Sequence, residues 1–379
     1  MQEIKISSIE AGQSLRKMLF KYFSKAPSSF VYKMLRKKNI TLNGKKAHGN
    51  EVLQVGDVIK LFMSQETIDK FTNNELLIDE GLVDRFLSDK YSSESLEGDS
   101  SSMEQRLDII FENQDILLLN KPVGVLSQKA KESDVSMVEY IISYLLKMGA
   151  ISRELLQTFK PSICNRLDRN TSGLITAGKT LAGLQELNKI FSERTIDKYY
   201  LCIVSGEVPE KAIVKGYLYK DEKSNKVIVE TDISSAGGEI EPVVEDGLNE
   251  TKLKDSDTKN SNIENNNNAN TIETKYTPLK VSNGLTLLKV KLITGKSHQI
   301  RAHLASLGYP LLGDYKYGNR AINDKFKKKY GLESQLLHSY SLVFPESTGV
   351  LAPLSGREFE AEPPRLFKEI MKEEINDGS

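Results

Sequence analysis

One short run of charged and polar residues is the part of the sequence best suited to chemistry. The run is Asn165-Arg166-Leu167-Asp168-Arg169-Asn170-Thr171-Ser172-Gly173, and apolar residues precede and follow it. The apolar flanks and the Thr-Ser-Gly turn predict a strand-to-loop corner that presents Asp168. The arginines on either side should keep its carboxylate ionised and aim it at a bound substrate. The pattern therefore indicates either a catalytic carboxylate or a structural Asp–Arg pair that caps a turn.

Two further segments carry side chains that suit a site. In Lys198-Tyr199-Tyr200, a strand would point Tyr200 to the opposite face from Tyr199. A core aromatic is the alternative interpretation for either tyrosine. The second segment is Thr294-Gly295-Lys296-Ser297-His298-Gln299-Ile300-Arg301-Ala302-His303-Leu304. Two histidines five residues apart with Arg301 between them make poor metal-ligand geometry, since arginine cannot be a ligand.

Other classes of site lack their signatures. The sequence has no Gly-x-Gly-x-x-Gly and no Walker-type phosphate loop, so we expect no nucleotide or redox cofactor and no metal. Two cysteines, Cys164 and Cys202, are too few for a disulfide framework or a cysteine zinc site. The first residues lack the basic and apolar regions of a signal peptide, and no apolar run reaches the length of a membrane span. We expect a cytoplasmic protein that does not contact a membrane.

Charge is distributed unevenly along the chain, although the formal net charge is zero. Between Ser14 and Lys60 there are eleven basic and two acidic residues. From Ser64 to Arg106 there are four basic and eleven acidic residues, and from Asp221 to Lys275 six and thirteen. Because local charge sets the attraction for phosphates, the basic segment is suited to nucleic acid.

The basic segment predicts a small α/β module over residues 14–62. Apolar residues at helical spacing follow Ser14, and a second helix should begin after Pro27. Ile40-Thr41-Leu42 alternates as a strand, and Asn43-Gly44 predicts a tight hairpin turn. The module resembles the S4 RNA-binding domain. The residues that we expect to contact RNA phosphates, rather than form an ordinary solvated face, are Lys33, Arg36, Lys37, Lys38 and Lys45.

The rest of the chain divides by composition. Residues 64–105 are predicted to be an acidic, flexible linker with one short helix over Glu75–Leu87. Residues 107–365 are predicted to be the main domain, with helices over Met137–Lys147 and Leu181–Phe191. Within it, residues 231–273 are rich in Asn, Asp, Glu and Ser, which predicts a disordered insertion between two strands.

The motifs of the main domain resemble those of RluA-type pseudouridine synthases. That family carries His-Arg-Leu-Asp-x-x-Thr-Ser-Gly, and here Asn165 replaces the histidine. Lys121-Pro122-Val123-Gly124 resembles the family's Asn-Lys-Pro-x-Gly, and the run from Thr294 to His303 resembles Thr-Gly-Arg-x-His-Gln-Ile-Arg-x-His, with Lys296 in place of arginine. Gly313-Asp314-Tyr315-Lys316-Tyr317-Gly318 and Leu336-Leu337-His338 resemble further family segments that we expect to be structural.

The resemblance implies an α+β fold, with a catalytic domain built on a long mixed, mainly antiparallel sheet and an S4 domain on a flexible tether. It implies that Asp168 is the catalytic residue and that Arg301 forms an ion pair with Asp168. Lys198-Tyr199-Tyr200 resembles the family's Lys-x-Tyr motif, which implies that Tyr200 lies against the target base. Arg166 and Arg169 either contact phosphate or brace the loop, and the sequence leaves both roles open. The family's reaction uses no cofactor and no metal.

The resemblance also implies the substrate class. The RluC-like subgroup predicts isomerisation of specific uridines in 23S large-subunit rRNA by a monomer, and a tRNA-directed synthase is the nearest alternative. A non-catalytic RNA-binding or ribosome-assembly protein on the same fold remains open, with slight support from Asn165 and Lys296. An aspartate-nucleophile hydrolase of small molecules would leave the basic module unexplained.

Overall fold

The computed structural model describes residues 1–72, 82, 107–221, 226–232 and 270–375. These divide into two compact units. The first unit comprises Met1–Asp197 and Ser339–Pro364, and the second comprises Lys198–His338 and Arg365–Ser379. None of the helices in the described part of the chain is long and apolar enough to span a membrane.

The N-terminal module of the first unit is a four-stranded antiparallel sheet with two helices packed against it. The sheet has the order β1 (Gln2–Lys5), β4 (Val58–Leu61), β2 (Ile40–Leu42), β3 (Lys45–Lys46). The helices are α1 (Leu15–Tyr22) and α2 (Ser28–Arg36). Asn43 and Gly44 have φ angles of 51° and 75°, and Leu42 pairs with Lys45. The predicted two-residue hairpin turn is therefore confirmed.

The module is larger than the predicted 14–62 and contacts the rest of its unit. β1 precedes that range, α3 (Gln65–Phe71) follows it, and Ile68 is buried in the module's core. The carbonyl of Ile9 accepts a hydrogen bond of 2.8 Å from the Leu181 amide. The module is thus in contact with the main domain. Most of the predicted linker, including the helix expected over Glu75–Leu87 apart from residue 82, lies outside the described residues.

The main part of the first unit places one buried strand between two helices. The strands are β5 (Ile109–Glu112), β6 (Ile116–Lys121), β7 (Ser162–Ile163), β8 (Ser172–Gly178), β14 (Leu337–Val343) and β15 (Glu358–Glu360). β6 pairs antiparallel with β5 and β8. Leu117 and Leu119 of β6 share a core with α4 (Met137–Lys147), whereas Ile116 and Leu118 share a second core with α5 (Leu181–Ser192). Burial on both faces explains why β6 is apolar from Ile116 to Leu119.

The second unit is built on five antiparallel strands. Their order is β11 (Lys226–Asp232), β10 (Ala212–Asp221), β12 (Asn270–Ser282), β13 (Leu285–Leu292), β9 (Asp197–Ser205). The helices are α6 (Gln299–Ser306), α7 (Arg320–Tyr330) and α8 (Arg365–Ile370), and α8 continues into the turn Met371–Ile375. Phe367, Ile370 and Ile375 are buried, so the folded domain extends beyond the predicted end at residue 365.

The fold class is confirmed, but the predicted boundaries of the insertion are wrong. The structure is α+β with a large, mainly antiparallel sheet, as the sequence indicated. β11 continues to Asp232 and β12 begins at Asn270, so both ends of the predicted 231–273 segment are strand. Lys215 of β10 pairs with Asp232 on one side and Glu273 on the other. Ladder pairing therefore overrides the polar composition of these residues.

Candidate active site

The loop that carries Asp168 joins β7 to β8, which confirms the predicted strand-to-loop corner. The amide of Cys164 donates to the carbonyl of Thr176 at 2.8 Å, so β7 leads into the loop along β8. Asp168 is half-buried, and its carbonyl accepts from the Thr171 amide at 3.1 Å to close a turn. The side chains of Arg166 and Arg169 are exposed. The loop thus presents one carboxylate between two cations that solvent can reach.

Glycine is required where the loop enters β8. Gly173 has a φ of 110°, in the region that side chains rarely adopt. A Cβ at this position would lie 2.2 Å from the carbonyl oxygen of Ser339. The Thr-Ser-Gly turn therefore allows two backbones to approach closely next to Asp168.

Asn165, which departs from the family signature, fixes the start of the loop. Its Nδ2 donates to the carbonyl of Leu174 at 3.0 Å. Its Oδ1 accepts from the amide of Thr176 at 2.7 Å and from the hydroxyl of Thr176 at 3.0 Å. The amide thus supplies a donor and an acceptor in one plane, which a neutral histidine also does with its two ring nitrogens. Asn165 therefore anchors the start of the loop to β8.

Ser127 holds the residue that precedes Asp168. Its hydroxyl donates to the carbonyl of Leu167 at 2.8 Å and accepts from the amide of Leu167 at 3.0 Å. Both residues are buried, with 4% and 8% of their surfaces exposed. One hydroxyl therefore satisfies both backbone groups of Leu167 from a segment 40 residues earlier in the chain.

Lys121 holds the residue that follows Asp168. Its ammonium is fully buried and donates to the carbonyls of Pro122 at 2.9 Å, Val125 at 2.8 Å and Arg169 at 3.0 Å. The amide of Gly124 donates to the same Arg169 carbonyl at 3.0 Å. Burial lowers the pKa of Lys121 to about 7, while the nearby carboxylate of Asp168 acts in the opposite direction.

Sequence reasoning missed most of this support. Lys121 enters the sequence prediction only as part of a motif, and Ser127 does not enter it. A lone serine in a loop produces no periodic pattern, and its partner is distant in the sequence. The family motif around Lys121 was the one signal that could have drawn attention to this segment.

Arg301 is held by a carboxylate of its own unit. Its Nε donates to Oδ2 of Asp314 at 2.7 Å and its Nη2 to Oδ1 at 2.9 Å, and both residues are buried. Desolvation raises the pKa of Asp314, but the hydrogen bonds and charge of Arg301, together with the backbone N–H groups of Lys316 and Tyr317, leave that pKa below its usual value. The Gly-Asp segment expected to be structural therefore supports Arg301. The ion pair expected between Arg301 and Asp168 stays a prediction.

Tyr200 and His303 of the second unit are buried, whereas Tyr199 contacts a lysine. Tyr200 of β9 is buried and pairs with Val290, whereas Tyr199 lies under the ammonium of Lys289, 4.7 Å from the ring centroid. His303 is buried, its Nδ1 is 3.0 Å from the hydroxyl of Thr274, and burial lowers its pKa to about 4. A neutral, buried histidine of this kind suits a structural role.

The basic residues predicted to contact RNA are exposed on the N-terminal module. Lys33 and Arg36 lie in the last turn of α2, and the chain continues through Lys37 and Lys38 to the β2–β3 hairpin that carries Lys45. All five side chains are exposed. The module thus offers cations to solvent at a helix end and on the hairpin that follows it.

Comparison with known proteins identifies relatives over most of the chain. A family model described as RNA pseudouridylate synthase matches residues 115–306. The chain is 26% identical over 343 residues to the ribosomal large subunit pseudouridine synthase C of Buchnera aphidicola, a match that covers 90% of this chain and 88% of that protein. The protein of the same name from Haemophilus ducreyi is 27% identical over 360 residues, covering 93% and 92%.

A relative that matches a smaller share of the chain and one solved structure are also similar. An uncharacterized RNA pseudouridine synthase from Mycoplasma genitalium is 29% identical over 250 residues, covering 64% of this chain and 65% of that protein. The structure of human RNA pseudouridylate synthase domain containing 4 covers 69% of this chain and 91% of its own, with a TM-score of 0.51 and 20% identity. At this level of identity, the similarity shows a shared fold and no more.

Proposed function

Because the chain belongs to the RNA pseudouridylate synthase family, we propose that this isomerase acts on uridines of large-subunit ribosomal RNA and that Asp168 is its catalytic residue. The observation that supports the catalytic assignment is the anchoring of Asp168. The residues on either side of it are bonded to the segment from Lys121 to Ser127, while its own side chain is half-buried between exposed arginines. A carboxylate held in this way suits a reaction that depends on orientation.

The reaction breaks the C1′–N1 bond of uridine and forms a C1′–C5 bond after the base has rotated. C5 loses a proton, N1 gains one, and no electrons are transferred, so the atoms balance without a cofactor. Asp168 begins this either by adding to the base or ribose, or by removing the C2′ proton. Both routes need an ionised carboxylate.

The target uridine must leave any base stack before the carboxylate can reach it. We expect Tyr200 to stack on the extruded base and Arg301 to orient Asp168. Both roles stay predictions, because these residues belong to the second unit whereas Asp168 belongs to the first. The exposure of Arg166 and Arg169 supports contact with RNA phosphates rather than bracing of the loop.

The N-terminal module binds RNA in the proposed function. Its resemblance to the S4 domain remains a prediction. Its exposed cations support contact with phosphates. Large-subunit ribosomal RNA is proposed because two relatives that match about nine-tenths of the chain are named for it. Cytoplasmic location and a monomeric state also remain predictions.

The experiment is pseudouridine mapping, by carbodiimide modification and primer extension, on large-subunit ribosomal RNA from cells that lack this protein. We expect specific stops to disappear and to return with the wild-type gene but not with Asp168→Asn. An unchanged map would refute the ribosomal substrate, and transfer RNA would be mapped next. Stops restored by Asp168→Asn would refute the catalytic assignment.

A further inference from the structure

We propose that residues 7–11 dock the N-terminal module onto the main domain, and that Ile9 is thereby a positioning residue for the RNA substrate. RNA bound to the module then meets the loop of Asp168 from a fixed place. This inference rests on the proposed function and concerns the first unit, to which both parts belong. It replaces the expected tether with a direct contact.

The covalent connection alone does not fix the place of the module. Residues 73–106 join the module, which ends with α3, to the main domain, which begins just before β5. A stretch of that length could span up to about 110 Å when extended. Contacts between the folded parts therefore decide where the cations of the module lie relative to the catalytic loop.

Ile9 joins the two parts through its side chain and through its carbonyl group. The half-buried side chain packs against the core that β6 and α4 share, as do Ile109 and Val125 of the main domain. The carbonyl oxygen accepts a hydrogen bond of 2.8 Å from the amide of Leu181. One residue of the module thus makes both an apolar and a polar contact with the main domain.

The amide of Leu181 needs a partner from outside its own helix. Leu181 is the first residue of α5, and the first amides of a helix have no acceptor within that helix. The side chain of the N-cap residue Thr180 accepts from the amide of Gly183 at 3.1 Å, and Leu181 itself is only 7% exposed. Because the Ile9 carbonyl satisfies a buried donor, separation of the module is unfavourable.

The module holds the docking segment at both of its ends. Before Ile9, the side chain of Ile6 belongs to the core of the module, and its amide donates to the carbonyl of Asp57 at 2.8 Å. After Ile9, the amide of Gly12 donates to the carbonyl of Leu53 at 2.8 Å. The position of Ile9 on the main domain therefore sets the position of the whole module.

Docking should improve the apparent affinity for RNA without changing the chemistry. When only a fraction of the molecules has the module in place, the apparent dissociation constant rises by the inverse of that fraction. A module held in place before binding also avoids the loss of entropy that accompanies ordering. Ile9 contributes neither a charge nor a reacting group, so its effect should be confined to substrate binding.

The first measurement is the hydrogen-exchange rate of the Leu181 amide, followed by NMR in the intact chain. We expect slow exchange in the wild type, because this amide is bonded only when the module is docked. Ile9→Asn puts a polar group against the apolar core and leaves all charges unchanged, so exchange should become at least about tenfold faster. Rapid exchange in the wild type would overturn the docking, and this result needs no variant to fold.

The second measurement is single-turnover tritium release from large-subunit ribosomal RNA transcripts labelled at C5 of uridine, at increasing enzyme concentration. If about one Ile9→Asn molecule in ten is docked, the half-saturating concentration should rise about tenfold. The maximal rate should stay within about threefold of wild type. The slope of log affinity against log salt concentration should not change, because no cation has been removed.

Two variants serve as matched controls. Ser8→Asn introduces the same side chain at the exposed neighbour of Ile9, and Ile9→Val keeps the apolar contact. Both should show the wild-type exchange rate and half-saturating concentration. Ser8→Asn with the defects of Ile9→Asn would overturn the assignment to Ile9.

The two measurements separate docking from substrate positioning. An Ile9→Asn protein with rapid exchange at Leu181 and the wild-type half-saturating concentration would overturn the positioning role. So would a fall in its maximal rate with no change in that concentration. A wild type with slow exchange that releases no tritium from any RNA would instead overturn the proposed function, and the positioning role with it.

Discussion

Replacing Ser127 by alanine should both destabilise the protein and slow the reaction. The hydroxyl makes two hydrogen bonds to Leu167, one to its carbonyl and one from its amide, at 2.8 and 3.0 Å. Alanine keeps the backbone but removes the hydroxyl that bonds both backbone groups of Leu167. The change therefore releases the residue before Asp168 without altering any charge.

The magnitude follows from burial. Each bond is worth about 1 kcal/mol net, and a buried group left without a partner costs about 1–3 kcal/mol. Since Leu167 is only 8% exposed, we expect Ser127→Ala to lower the free energy of unfolding by about 2–4 kcal/mol. A displacement of Asp168 by about 1 Å should lower the single-turnover rate by about 100-fold.

Urea unfolding measures the first effect, and tritium release from C5-labelled RNA measures the second. Ser192→Ala is the control, because that serine is exposed on α5 and donates a single bond to the carbonyl of Lys189. The control should change stability by less than about 0.5 kcal/mol. If Ser127→Ala matched the control in stability and rate, the loop would not depend on this clamp.

Three further predictions follow from the described contacts. Asp314→Asn should lower the free energy of unfolding by about 3 kcal/mol at neutral pH, because it leaves Arg301 buried without its carboxylate. Since the pKa of Asp314 is lowered in the folded protein, its contribution to the free energy of unfolding is lost as the pH falls through that pKa. Urea unfolding should therefore give similar free energies for wild type and Asp314→Asn in acid. A difference between the two free energies that does not change with pH would contradict this. The exposed basic residues of α2 and of the segment after it are Lys33, Arg36, Lys37 and Lys38. Replacing them by glutamine should weaken RNA binding and reduce the slope of log affinity against log salt concentration by about 0.9 per lost contact with duplex phosphate. An unchanged slope in filter binding would show that these residues do not contact RNA phosphates. Replacing residues 234–268 by about six Gly/Ser residues should leave melting temperature and turnover unchanged. β11 and β12 lie on either side of β10, so a short linker has to span only about 10 Å between them. Lost turnover at an unchanged melting temperature would show that the segment is functional.

The elements that the sequence predicted correctly are those with a local pattern of residue types. α4 could be placed because its apolar residues recur at helical spacing, and the structure adds a capping box between Ser136 and Glu139. The hairpin turn could be recognised from Asn43-Gly44.

Long-range contacts account for what the sequence did not reveal. The start of β12 at Asn270 belongs to an asparagine-rich stretch, and only its pairing with Leu218 in β10 makes it a strand. Ser127 and Leu167 are 40 residues apart, and no local pattern links them. Asp314 lies 13 residues from Arg301, beyond the spacing of neighbours on one helix. Such contacts depend on tertiary structure, which no local pattern of residues encodes.

The most direct test of the account compares purified wild-type protein with Asp168→Asn on one C5-tritiated large-subunit ribosomal RNA. The substitution keeps the size of the side chain but removes the charge and the nucleophilic oxygen. We expect Asp168→Asn to release no tritium while it binds the RNA within a few fold of wild type. Tritium release by Asp168→Asn at the wild-type rate would contradict the assignment of Asp168 as the catalytic residue.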